Sequence, residues 1–213
     1  MTRVTLTLPR RLDPPVHADI VRCVREGGVI VAPTDTVYGL FCNALDPQAV
    51  ERVCAIKGRE PGRAMPVAVA GEREAGLLVR DVSEAARRLM GQFWPGALTI
   101  VLRAVAELPA AVAPEGTVGV RAPGHDWLLS LLKDAALPLV ATSANLSGGP
   151  QPVSLDVVPP DVLEAADFVV DQGELPAGKP SSVLDLTGPQ PRLLREGVLS
   201  REELSVALGA PIL

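Results

Sequence analysis

A β-branched apolar run, Val29-Ile30-Val31, leads into Ala32-Pro33-Thr34-Asp35-Thr36, and a second apolar run follows over 37–42. No other stretch constrains the chain as strongly. The first run predicts a buried strand, and Pro33 ends its capacity to donate to a ladder. Two threonines and one aspartate are therefore left at a strand end. Open α/β sheets bind ligands at such ends, but a polar turn whose Thr and Asp satisfy their own backbone makes the same pattern without a ligand. Taken alone, the stretch leaves both readings open.

Strand and helix signals alternate along the rest of the chain. Residues 1–6 alternate as a strand does. Pro14-Pro15 then open a helix with Ile20, Val21 and Val24 at helical spacing, and Gly27-Gly28 stop it. Asp46-Pro47 supplies an N-cap and a first-turn proline for a helix running to Lys57, with Val50, Val53 and Ile56 on one face. Further strands are expected over 67–70, 98–102, 117–123, 137–141, 182–186 and 192–195. Ser83 caps a helix to about residue 92, Asp126 starts another, and Ser200-Arg201-Glu202-Glu203 reads as a capping box for the last. No repeat or linker divides the sequence, so one α/β domain over 1–213 is expected.

Composition excludes several function classes. The 213 residues are 47% hydrophobic, enough for a sizeable core. No apolar run approaches the roughly 20 residues that span a bilayer, and the N-terminus lacks a signal-peptide core. A cytoplasmic location without a membrane partner is the resulting expectation. A net charge of −5 argues against a surface that grips nucleic acid as a whole. The six aromatics are too scattered for a base-stacking platform. Cys23, Cys42 and Cys54 form no CxxC pair and read as small buried apolar residues.

Polar clusters recur at the predicted strand and helix ends. Lys57, Arg59 and Arg63 bring three cations into seven residues after a helix, a density of donors suited to a polyphosphate or carboxylate. Complementing the helix dipole explains Lys57 alone equally well. Arg121 ends a short apolar strand, where an unpaired charge is costly, so it should meet an anion or a carboxylate. Thr142-Ser143-Ala144-Asn145-Leu146-Ser147-Gly148-Gly149 presents hydroxyls, an amide and exposed backbone N–H groups at another strand end. Gly173-Glu174-Leu175-Pro176-Ala177-Gly178-Lys179-Pro180 has P-loop spacing up to its lysine. However, Pro180 replaces the required Ser or Thr, and a strand follows in place of a helix, so it is not a Walker loop. Ser181 and Ser182 beyond it remain ligand candidates. His17 and His125 read as surface or helix-end residues outside any Ser-His-Asp pattern.

Six of these segments, taken in order, resemble the YrdC/Sua5 family. They are Pro33-Thr34-Asp35-Thr36-Val37-Tyr38-Gly39-Leu40, the pair Lys57 and Arg59, Val118-Gly119-Val120-Arg121-Ala122-Pro123, Ser143-Ala144-Asn145-Leu146-Ser147-Gly148, Pro180-Ser181-Ser182-Val183-Leu184-Asp185 and Leu194-Arg195-Glu196-Gly197. The resemblance implies a single-domain twisted mixed sheet with surrounding helices and a wide concave cleft, in the family's short form. It also implies a nucleotidyltransferase, threonylcarbamoyl-AMP synthase. That activity makes threonylcarbamoyl-AMP and pyrophosphate from L-threonine, bicarbonate and ATP. Separate transferase proteins then carry the threonylcarbamoyl group to adenosine 37 of tRNAs reading ANN codons, and stable nucleic-acid binding by this chain is not expected.

Carried over by motif, Thr36, Arg121 and Ser181 face the threonine, Arg121 through its carboxylate. Lys57 and Arg59 hold the triphosphate and the carbamate as the catalytic pair. Arg59, Thr117, Ser143, Asn145 and Arg195 contact the nucleotide. Mg2+ accompanies ATP on phosphate oxygens. Three departures stand out: Glu60 separates Arg59 from Pro61, Arg63-Ala64-Met65-Pro66 replaces a Lys-Pro-Leu-like segment, and Ala68 stands where several members carry a polar residue. Arg63 is the candidate for a replacement nucleotide contact. Two alternatives are an RNA-binding module of the same fold and a carbamoyl-adenylate-forming enzyme like the related domain of hydrogenase-maturation proteins.

Overall fold

The computed structural model describes residues 4–7, 13–58, 64–176 and 179–213. In chain order its strands are β1 (Val4–Thr7), β2 (Ile30–Pro33), β3 (Tyr38–Asn43), β4 (Val67–Ala68), β5 (Leu98–Arg103), β6 (Thr117–Arg121), β7 (Leu139–Ser143), β8 (Phe168–Asp171), β9 (Ser182–Asp185) and β10 (Arg192–Arg195). The helices are α1 (Pro14–Arg25), α2 (Pro47–Lys57), α3 (Glu72–Ala75), α4 (Glu84–Phe93), α5 (Asp126–Ala135), α6 (Pro160–Ala165) and α7 (Arg201–Leu208). The strands described form one mixed sheet in the order β1-β8-β2-β3-β7-β4-β6-β5-β9-β10. The expected α/β class and twisted mixed sheet are thus present.

Alternation along the strands divides the core between two faces, because successive side chains leave a strand on opposite sides. Val29 and Val31 join one apolar cluster. Ile30 and Ala32 join the other, against Ile20 and Val24 of α1 and Leu128, Leu131 and Leu132 of α5. Several helix ends follow their sequence signals. Asp46 accepts from the backbone N–H of Gln48 and Ala49 at 2.9 and 3.3 Å, and Gly58 closes α2 in the left-handed conformation. Ser200 and Glu203 form the full capping box. His125 caps α5, its Nδ1 accepting from Leu128 N–H at 3.3 Å.

Some expectations need correction. The strand expected over 67–70 has only two residues, Val67–Ala68, because its partner β7 starts at Leu139, opposite Ala68. A strand and two short helices were not anticipated: β8, α3 and α6. β8 pairs parallel with both β1 and β2, and its Phe168-Val169-Val170 run was the available signal. Cys23 and Cys42 are buried as expected, whereas Cys54 is half-buried. No helix among the described residues is long and apolar enough to cross a membrane.

Candidate functional site

A cavity of about 300 Å³ opens where β3, β4, β6 and β7 converge with the start of β9 and the end of β10. Thr36, Arg121, Ser143, Ser181 and Arg195 line it, so five of the sequence-predicted residues meet in one place. Thr34 and Thr99 add hydroxyls, while Phe41, Val67, Ala68, Leu128 and Ala141 form an apolar wall.

The turn that carries Thr36 is built by Thr34. Its hydroxyl accepts from the N–H of Thr36 and Val37, both at 3.0 Å, and donates to the Val37 carbonyl at 2.8 Å. The Thr36 hydroxyl lies 3.1 Å from that of Thr34, with either oxygen able to donate, and in both cases the Thr36 oxygen keeps an acceptor position for a ligand. The turn reading and the ligand reading of this stretch thus apply to different residues within it. Tyr38 closes the far side of the hairpin, donating to the Gly173 carbonyl at 2.7 Å and accepting from Gln172 N–H at 2.9 Å. Burial pushes its phenol up to about 12.

Arg121 meets a carboxylate, as its place at the end of β6 requires. Its Nη2 donates to both oxygens of Asp35 at 2.7 and 2.6 Å, and its Nε donates to the Gly96 carbonyl at 2.8 Å. Burial lowers the Arg121 guanidinium below the usual arginine range, against the attraction of Asp35. Arg195 donates to the Ser181 carbonyl at 3.0 Å and to the Ser181 hydroxyl at 3.1 Å, and burial lowers it too. A register shift between Leu193 and Arg195 sets Arg195 opposite Val183. Bulges of this kind re-aim a side chain. Gly197 lets the two segments close, since a Cβ there would overlap the Pro180 and Ser181 backbone.

Lys57 and Asn145 lie behind the cavity, outside its lining. The Lys57 side chain is 3% exposed. Its ammonium donates to the carbonyls of Ser143 and Asn145, the latter at 2.7 Å, and to Asn145 Oδ1 at 3.3 Å. Asn145 spends its amide within the loop, accepting from the Ser143 hydroxyl at 2.5 Å and donating to the Gly149 carbonyl at 2.6 Å. Thr117 is not brought to the cavity. It stands four residues from Arg121 along β6, roughly 13 Å at strand rise, with its hydroxyl on the Pro114 carbonyl at 3.4 Å. Arg59 and Arg63 lie outside the described residues.

Sequence reasoning passed over Thr99, which is 2% exposed in β5 and pairs with the Ser181 hydroxyl at 3.0 Å. A lone threonine inside the apolar run 98–102 was its signal. Among the described residues no group of three His, Cys, Asp or Glu is placed to hold a metal ion.

Comparison with known proteins fits this geometry. The sequence pattern of the Sua5/YciO/YrdC family, described as telomere recombination, matches residues 22–197. A threonylcarbamoyl-AMP synthase of Pyrococcus abyssi is 38% identical over 187 residues, covering 87% of this chain and 55% of that protein. The chain therefore spans about half the length of that relative. A putative threonylcarbamoyl-AMP synthase of Mycobacterium tuberculosis is 36% identical, covering 89% of this chain and 87% of the other. A crystal structure of P. abyssi Sua5 complexed with L-threonine superposes with a TM-score of 0.91 at 34% identity, over 100% of this chain and 63% of that one.

Proposed function

The chain belongs to the Sua5/YciO/YrdC family, and from that membership we propose that it joins L-threonine, bicarbonate and ATP into threonylcarbamoyl-AMP, releasing pyrophosphate. The observation that carries the proposal is a cavity lined by two arginines, Arg121 and Arg195, by the hydroxyl residues Thr36, Thr99, Ser143 and Ser181, and by apolar side chains among them. The relatives named for this reaction, and the Sua5 crystallised with L-threonine, support it.

The residue types suit the chemistry. The threonine amine attacks bicarbonate, and water leaves as the carbamate forms. A carbamate oxygen then attacks the α-phosphorus of ATP, and pyrophosphate departs. Every reacting group is an anion or becomes one, so charge neutralisation and positioning suffice without a protein nucleophile. In this scheme Arg121 takes the threonine carboxylate and Thr36 and Ser181 the amino-acid side of the cavity. Ser143 and Arg195 face the nucleotide. Lys57 and Asn145 shape the loop beneath it, and Arg59 and Arg63 supply charge to the triphosphate. Mg2+ would enter with ATP, bound largely by phosphate oxygens. Its product would pass to transferase proteins that modify adenosine 37 of tRNA, a role that suits a cytoplasmic location.

The test is pyrophosphate release from ATP with L-threonine and bicarbonate each omitted in turn. Release that needs both supports the assignment, and release indifferent to either overturns it.

A further inference from the structure

We propose that Asp35 is a positioning residue that holds Arg121 from outside the cavity and leaves one end of its guanidinium for the substrate carboxylate. The inference rests on the reading above, in which Arg121 takes the carboxylate of the amino acid. Arg121 lines the cavity and Asp35 does not. Both Asp35 oxygens lie on Nη2, and the Gly96 carbonyl lies on Nε. Nη1 has no partner among the described residues, so it is the donor that remains for a ligand.

The pair is enclosed and rigid. The side chains of Arg121 and Asp35 are 13% and 18% exposed. The Thr34 hydroxyl fixes the backbone on either side of Asp35 through the N–H of Thr36 and the N–H and carbonyl of Val37. A Cβ at position 124 would stand 3.0 Å from Asp35 Oδ2 and 3.3 Å from Gly96 Cα, so Gly124 leaves just the room the carboxylate and the Gly96 segment need. A guanidinium held at two of its nitrogens cannot rotate, so the remaining nitrogen, Nη1, is presented to a carboxylate in a fixed direction. Asp35 also sets the local charge, because the cavity holds a second guanidinium, Arg195, whose field opposes the charge on Arg121.

Two roles for Asp35 predict opposite results. If it only offsets charge, removing its carboxylate strengthens binding of an anionic substrate. If it positions Arg121, binding weakens. We expect Asp35→Asn, which keeps shape but not charge, to raise KM for L-threonine at least tenfold, with kcat and KM for ATP within about twofold of wild type. In Asp35→Ala, formate is small enough to occupy the vacated place and should lower KM for threonine back toward wild type, a rescue that a merely structural role would not show. An unchanged or lowered threonine KM in Asp35→Asn overturns the proposal, as does an equal rise in both KM values. If the wild type shows no threonine-dependent turnover, the functional assignment has failed and phenylglyoxal labelling with peptide mapping decides the Asp35 proposal by itself. Faster modification of Arg121 in Asp35→Asn, with Arg195 unchanged, supports it, and equal rates overturn it. Should Asp35→Ala fail to fold, Asp35→Asn still carries the test.

Discussion

Lys57 gives the sharpest test of how the loop beneath the cavity is held. Substituting methionine keeps the length and most of the volume of the side chain, so packing changes little, but it removes the ammonium. The carbonyls of Ser143 and Asn145 then lose this donor, whereas Asn145 Oδ1 keeps the Ser143 hydroxyl. Hydrogen bonds to a charged group contribute about 1.5–3 kcal/mol each, and a buried acceptor left unsatisfied costs about 1–3 kcal/mol. Relief from desolvating an ammonium that is 3% exposed offsets part of this. A net loss of about 2–4 kcal/mol follows. For a chain of this length each kcal/mol moves the melting temperature by about 2–4 °C, so Lys57→Met should melt about 5–15 °C lower. Thermal unfolding by circular dichroism at fixed pH reads the shift, and pyrophosphate release measured well below the melt should show a raised KM for ATP. A variant that melts within 2 °C of wild type yet loses ATP affinity would refute the reasoning, because the ammonium would then face the nucleotide and not the loop.

Gly197→Ala drives a methyl group into the Pro180 and Ser181 backbone. It should cost about 1–3 kcal/mol and lower activity by displacing Ser181; urea unfolding and a turnover assay at low temperature measure the two effects. Burial pushes the Asp185 carboxyl up, but hydrogen bonds from Thr187 and the Arg192 guanidinium outweigh it and hold the group below the usual carboxylate range. A lowered folded-state value stabilises above the unfolded value near 3.9, and that stability fades as pH falls through the folded value. Asp185→Asn should therefore melt below wild type at pH 7, with the gap closing under about pH 4; a gap as large at pH 3 contradicts the assignment. Burial pushes the Cys23 thiol up to about 11 and the Cys42 thiol up to about 12. Iodoacetamide at pH 8 should leave both unmodified in the folded protein while reaching Cys54, and rapid native labelling of Cys42 would contradict its burial.

Short-range signals determined much of this protein before any fold was known. Caps such as Asp46 and Ser200, the turn chemistry of Thr34 and the β-branched run 29–31 act within a few residues, so their outcome is written locally. The same holds for the demand of Arg121: a charge ending an apolar strand needs an anion wherever the chain goes. Which anion it meets is a tertiary matter. Asp35 lies 86 residues away, and only the ordering of β2, β3, β7, β4 and β6 brings the two together. β8 escaped notice because a short strand buried in parallel pairing carries no alternation to read. Sequence displays the charge of Lys57, whereas the carbonyls of Ser143 and Asn145 folded over it are set by the tertiary structure. Thr117 and Arg121 share one short apolar strand in the sequence, yet a strand separates its two ends by their full rise, and only Arg121 lines the cavity. Arg195 needed the register shift beside Leu194 to reach Ser181, and a shift of register is decided by how two strands pair, which neither strand encodes by itself.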